Sequence, residues 1–212
     1  MSDVLDQWQY FSTPVYSIMK PEFLEVAKTT SNAQLSAVRK STKMNEVYPV
    51  VQADLFSEDK LLPLYEYTLN TAWNILSDQG YNMNGLSTHF TECWGQEHHK
   101  YSSMEYHHHN DCQLVAFYFL ECPKDPPKMV IHDPRAMKAM IPLYEQDVSK
   151  ITVATSMINF TPSEGQLVFA NSWLPHSFTR NTSTKPFKFI HMNIATRPFQ
   201  APVEYPATAE IV

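Results

Sequence analysis

The sequence predicts a mainly β domain with flanking helices, built as a double-sheet jelly roll. Two observations predict it. From Thr88 onward the chain breaks into short apolar segments of strand length, separated by turns rich in Pro and Gly. Before that point apolar residues recur at helical rather than alternating spacing. The 212 residues are 43% hydrophobic and 18% charged, enough to bury a sizeable core and to exclude global disorder.

In chain order, Pro21 opens a first helix with Phe23, Leu24 and Ala27 on one face. Ser31 to Glu46 is polar and reads either way. A stronger helix is predicted over Lys60 to Ser77, where Leu62, Tyr65, Leu69, Trp73 and Leu76 recur at spacings of three and four. Ser57 is placed to cap it, and Gly80 lies just past its end. Strands are predicted at Thr88 to Trp94, Gln113 to Leu120, Lys128 to His132, Thr152 to Phe160, Gln166 to Ala170 and Pro186 to Thr196. Pro123, Pro126 and Pro127, then Pro162 to Gly165, mark turns between them. Ala136 to Lys150 is too polar for a core strand and reads as a lid or insertion. One domain is expected over 1–212, with a mainly helical support over 1–87, a jelly-roll core over 88–196 and a tail over 197–212.

Charge and rare residues narrow the function. Lys plus Arg total 16 against 22 Asp plus Glu, a net charge of −6, so nucleic acid and anionic membranes are disfavoured partners. The three cysteines, Cys93, Cys112 and Cys122, are odd in number and lack Cys-x-x-Cys spacing. They read as reduced thiols of a cytoplasmic protein. The N-terminal Met1-Ser2-Asp3-Val4 does not read as a signal peptide, and no apolar run is long enough to span a bilayer. Four glycines leave no glycine-rich phosphate loop.

Histidine is the informative residue. Tyr106-His107-His108-His109-Asn110-Asp111 immediately precedes the strand at Gln113. In an extended chain residues two apart share a face, so His107, His109 and Asp111 are expected together. Two imidazoles and a carboxylate suit a divalent iron, manganese or zinc ion. A further ligand is expected from His176, which follows the apolar run Gln166 to Ala170 and the segment Asn171 to Pro175. That places an imidazole near a strand end, at the mouth of a barrel.

Tyr106-x-x-His109-x-Asp111 resembles the Tyr-x-x-His-x-Asp motif of the prolyl-hydroxylase-like branch of the 2-oxoglutarate/Fe(II)-dependent oxygenases. Leu114 to Pro123, His132 to Arg135, Gly165 to Phe169 and Trp173 to His176 resemble a group of small oxygenases of cyanophages and marine bacteria. The resemblance covers roughly 88–196. It implies a double-stranded β-helix, a cupin-like barrel, with Fe(II) held by His109, Asp111 and His176. It further implies 2-oxoglutarate as cosubstrate, ascorbate as an accessory reductant, and hydroxylation of a small-molecule or peptide acceptor with release of succinate and CO2. A peptidyl proline is the first acceptor it suggests, in the cytoplasm of a cell or, for a viral protein, of its host.

Two departures bear on the site. Relatives often carry His-x-His before the buried strand, which makes His107 the alternative ligand; His109 is preferred because only it has a carboxylate two residues on. Relatives also hold the far carboxylate of 2-oxoglutarate with an Arg on the last strand. Here Pro186 to Asn193 contains only Lys188, with Arg180 and Arg135 as substitutes and Tyr118 as a hydroxyl donor. Period two puts Lys188 on the face opposite His191 and Asn193, so only one of these sets can line the barrel. The rival readings are a cupin-like metalloenzyme that does not use 2-oxoglutarate and a non-catalytic jelly-roll protein.

Overall fold

The structure, a computed structural model, describes residues 5, 6, 8 and 10–199; all of the expected tail beyond Phe199 lies outside the described residues. Among the described residues ten strands and two α-helices follow in order: β1 (Val15–Met19), α1 (Leu24–Ser41), β2 (Val50–Asp54), α2 (Leu62–Asp78), β3 (Leu86–His98), β4 (Met104–His107), β5 (Leu114–Glu121), β6 (Met129–His132), β7 (Met157–Phe160), β8 (Gln166–Asn171), β9 (His176–Phe178) and β10 (Phe187–Pro198). They form a six-stranded sheet, β1-β8-β5-β10-β3-β2, and a four-stranded sheet, β4-β9-β6-β7. Each sheet pairs antiparallel throughout. This is the predicted mainly β architecture with flanking helices.

Alternation along the central strands sorts two cores. On β5, Leu114, Ala116, Tyr118 and Leu120 face the helices, while Val115, Phe117 and Phe119 face the second sheet. On β10, Ile190, Met192 and Ile194 face the helices, while Phe187 and Phe189 face inward. The inner core is a plug of phenylalanines. Phe178 stacks on Phe189 at 5.1 Å between centroids, and Phe119 stacks on Phe187 at 5.8 Å. His98 lies against Phe189 at 5.3 Å. Side chains, rather than a cavity, fill the barrel at this end.

Several elements differ from expectation, each for a physical reason. α1 continues through the polar stretch to Ser41 because small residues, Thr30 and Ser31, let it lie close on the sheet, with Leu35 fully buried beneath it. The N-terminal region is not only helical: β1 and β2 form the two edges of the large sheet. Strand structure is confined to Met157–Phe160, because Thr152 and Thr155 bond each other in a local turn; the Thr152 N–H donates to Thr155 Oγ1 at 2.9 Å. Ala136 to Lys150 holds one short 3-10 turn and is mostly exposed. Among the described residues no helix is long and apolar enough to cross a membrane.

Candidate metal centre

Three histidines converge at the end of the barrel beyond the phenylalanine plug. His107 closes β4, His109 follows in the next turn, and His176 opens β9. One ring nitrogen from each lies within 4.8 Å of the others. The local backbone explains the convergence. His107 and His176 are register partners across β4 and β9, and an extra residue bulges from β4 between Met104 and His107. Such a bulge re-aims the side chain that follows it. The His109 N–H donates to the Ser172 carbonyl at 2.9 Å, which ties the turn to the segment leading into His176.

The ring orientations are those of metal ligands. His107 Nδ1 donates to the Glu105 carbonyl at 2.7 Å, and His176 Nδ1 donates to the Leu174 carbonyl at 3.0 Å. In a neutral imidazole such a bond places the proton on Nδ1 and leaves Nε2 as the lone-pair donor. His109 Nε2 and His176 Nε2 stand 3.3 Å apart. Two nitrogens at right angles on a metal with bonds of about 2.1 Å are separated by about 3.0 Å, so the spacing suits a shared ion. Burial, then the neighbouring His107, pushes His109 down to about 4, and burial pushes His176 down to about 3. At neutral pH these two imidazoles are therefore free bases. A divalent ion bound only through imidazole nitrogens would keep its full charge of two.

Asp111 is not part of this cluster. It was expected to share a face with His107 and His109, but the chain leaves the extended conformation after His107. Asp111 itself sits at φ 59°, in the left-handed region, with its side chain exposed. The alternation argument fails at that turn, and the third side chain of the cluster is that of His107.

The cluster opens onto a pocket of about 500 Å³ lined by Tyr48, Gln52, Glu92, Trp94, Gln96, Met104, Glu105, His107, His109 and His191. Glu92, Trp94 and Gln96 alternate along β3, and Trp94 is the register partner of His191 on β10. His191 is 5% exposed, its ring lies 4.8 Å from that of His109, and its Nε2 has no partner. Burial, then His109 and His176, hold it well below the ordinary histidine range. Sequence reading placed His191 on the last strand without giving it a role. The signal was there, since His191 shares the inward face with Phe187 and Phe189.

The residues expected to anchor the cosubstrate lie elsewhere. Lys188 faces the helices, where its Nζ donates to Asn32 Oδ1 at 2.7 Å and Glu121 Oε1 at 3.1 Å and pairs with Glu97 Oε2 at 3.2 Å. Period two had already set it against His191, and the inward place goes to the phenylalanines. Tyr118 also faces the helices, and its hydroxyl donates to the Lys20 carbonyl at 2.7 Å. Arg135 is an exposed turn residue whose guanidinium is paired with Asp133. Arg180 is exposed in the connection after β9. Among the described residues, no Lys or Arg lines the mouth. The donor set fits a divalent metal, whereas the far carboxylate of 2-oxoglutarate meets no cation there.

Residues 92–187 match the family described as "Putative 2OG-Fe(II) oxygenase". No curated protein matches the chain by sequence. Among solved structures, AviO1 from Streptomyces viridochromogenes Tue57 is similar at a TM-score of 0.61 and 11% identity, over 92% of each chain. A Pseudomonas putida prolyl-4-hydroxylase is similar at 0.56 and 9%, over 86% of this chain and 93% of that one. HygX from Streptomyces hygroscopicus, solved with nickel and 2-oxoglutarate bound, is similar at 0.52 and 11%, over 86% and 83%. At such identities the structural likeness establishes the fold, a double-stranded β-helix, and the sequence match covers the stretch that carries all of β3 but its first six residues, together with His107, His109 and His176. Over that stretch the chain is similar to the 2OG-Fe(II) oxygenases, and the match supports a 2-oxoglutarate-dependent dioxygenase with Fe(II) and 2-oxoglutarate as its cofactors.

Proposed function

We propose that the chain hydroxylates an acceptor admitted to the mouth beside His107, His109 and His176, with succinate and CO2 as co-products. The observation that carries the reading is the convergence of three imidazole nitrogens, two of them oriented by backbone carbonyls, at the open end of an otherwise plugged barrel. An Fe(II) ion held there would supply the oxygen-activating chemistry, and a facial set of three ligands leaves positions for other groups. The protein's own part is to fix the ligand tautomers, exclude water on the Phe117 side, and hold the acceptor against Trp94 and His191. Similarity to a prolyl-4-hydroxylase supports a peptidyl proline as the first acceptor to try. The test is succinate formation from 2-oxoglutarate with added Fe(II) and ascorbate across a panel of acceptors, with His176→Ala as control. Activity that needs His176 is the expected result. Metal binding without any succinate would overturn the proposal in favour of a cupin-like metalloenzyme with another co-ligand.

A further inference from the structure

We infer that the acceptor carries a compact organic cation, an alkyl guanidinium or ammonium group, seated between Trp94, Glu92 and Glu105; this rests on the oxygenase reading above. The mouth is lined by two carboxylates and by no lysine or arginine among the described residues. Asn193 Nδ2 donates to Glu92 Oε2 at 2.8 Å, which fixes one oxygen of a carboxylate that lines the mouth. Glu92 and Trp94 are two residues apart on the same face of β3, about 6.6–6.8 Å along the strand. A cation against the indole face therefore lies within reach of the carboxylate. Tyr48 gives a second aromatic wall, and the Gln52 side chain adds a polar lining. Aromatic faces beside carboxylates favour a cation over a neutral or anionic group of the same shape.

An independent observation points to a ligand in the same place. His191 lines this mouth, is 5% exposed, and has an Nε2 with no partner. Buried polar atoms are nearly always satisfied, and a guanidinium offers several N–H donors in a fixed fork. A cation here also brings the positive charge that no side chain of the mouth supplies. The mouth, at about 500 Å³, has room for an amino-acid-sized group.

The experiment uses the full chain loaded with Mn(II) under argon, with loading measured first by calorimetry. Butylguanidinium, its neutral isostere butylurea, and an acetyl-Gly-Arg-Gly-amide peptide are then titrated. Butylguanidinium, or the peptide if the cation belongs to a protein side chain, should bind at least tenfold more tightly than butylurea. Glu92→Gln and Glu105→Gln together should remove that discrimination, and Glu92→Gln keeps an oxygen for Asn193, so the fold is preserved. Equal binding of the urea, no binding of either cation, or an unchanged preference in the double variant overturns the inference. Failure to load Mn(II) with the guanidinium preference intact overturns the oxygenase reading alone. Normal loading without the preference overturns the cationic acceptor alone.

Discussion

Replacing Lys188 by Met separates stability from cofactor binding. The Lys188 ammonium is 8% exposed and sits between Asn32, Glu121 and Glu97 on the helix side of the large sheet. Breaking a buried ion pair outright costs about 3–5 kcal/mol, chiefly because a charge is left unpaired. Here Glu97 keeps Arg39 at 2.5 Å and His99 at 2.6 Å, and Glu121 keeps Asn32 at 3.0 Å. The loss should fall below that range, at about 2 kcal/mol. With a urea slope of about 2–3 kcal/mol/M for a chain of this size, the midpoint drops by about 0.7–1 M. Metal and 2-oxoglutarate affinities should stay within about twofold, measured by calorimetry on the folded variant. An unchanged midpoint together with a tenfold weaker affinity for 2-oxoglutarate would place Lys188 in the mouth and refute the assigned facing of β10.

The metal centre predicts a split among neighbouring residues: His107→Ala, His109→Ala and His176→Ala should each weaken Co(II) or Mn(II) binding by about a hundredfold or more, roughly 2.7 kcal/mol. Asp111→Ala should change it by less than twofold, and a large loss there would restore the carboxylate as ligand. Phe189→Ala should cost about 3–5 kcal/mol in thermal or urea unfolding, since it removes a fully buried ring stacked on Phe178 and His98; a smaller loss would mean that the plug is loosely packed. Burial pushes the Glu97 carboxyl up, but Arg39, Lys188 and His99 outweigh it and hold it below the ordinary range. Its contribution is therefore present above the unfolded value of about 4.3 and is lost as pH falls through the lowered folded value. The melting temperature should hold from pH 8 to about 5 and fall below about 4, and Glu97→Gln should flatten that acid limb.

How much of this was legible from residues depends on where the backbone kept a single period. The long strands β5, β8 and β10 are apolar runs bounded by turns, so their existence follows from the order of residues, while the facing of β10 stayed open between Lys188 and His191. α2 is equally plain because its apolar stripe is unbroken. β1 and β2 were missed because edge strands are short and carry little apolar pattern. β9 was missed because three residues give no period at all. The metal centre was half legible. His109 and His176, both expected at the mouth, do lie together, but a turn at positive φ after β4 carries Asp111 away and a bulge inside β4 brings His107 in. Neither a bulge nor a left-handed Asp leaves a mark in the order of residues.

The bulged pairing of β4 with β9 has a dynamic consequence. β4 is the outer strand of the small sheet and, among the described residues, pairs with β9 alone. An outer strand with one irregular ladder opens at a low free energy and exchanges its amide hydrogens early. Because His107 and His176 face each other across that ladder, an ion bound between them acts as a rivet through the least secure seam of the barrel. Occupancy of the centre is therefore recorded in solvent exchange: deuterium uptake over Met104–His107 should slow when metal is added, while uptake over β5 and β8, already sealed within the large sheet, stays the same.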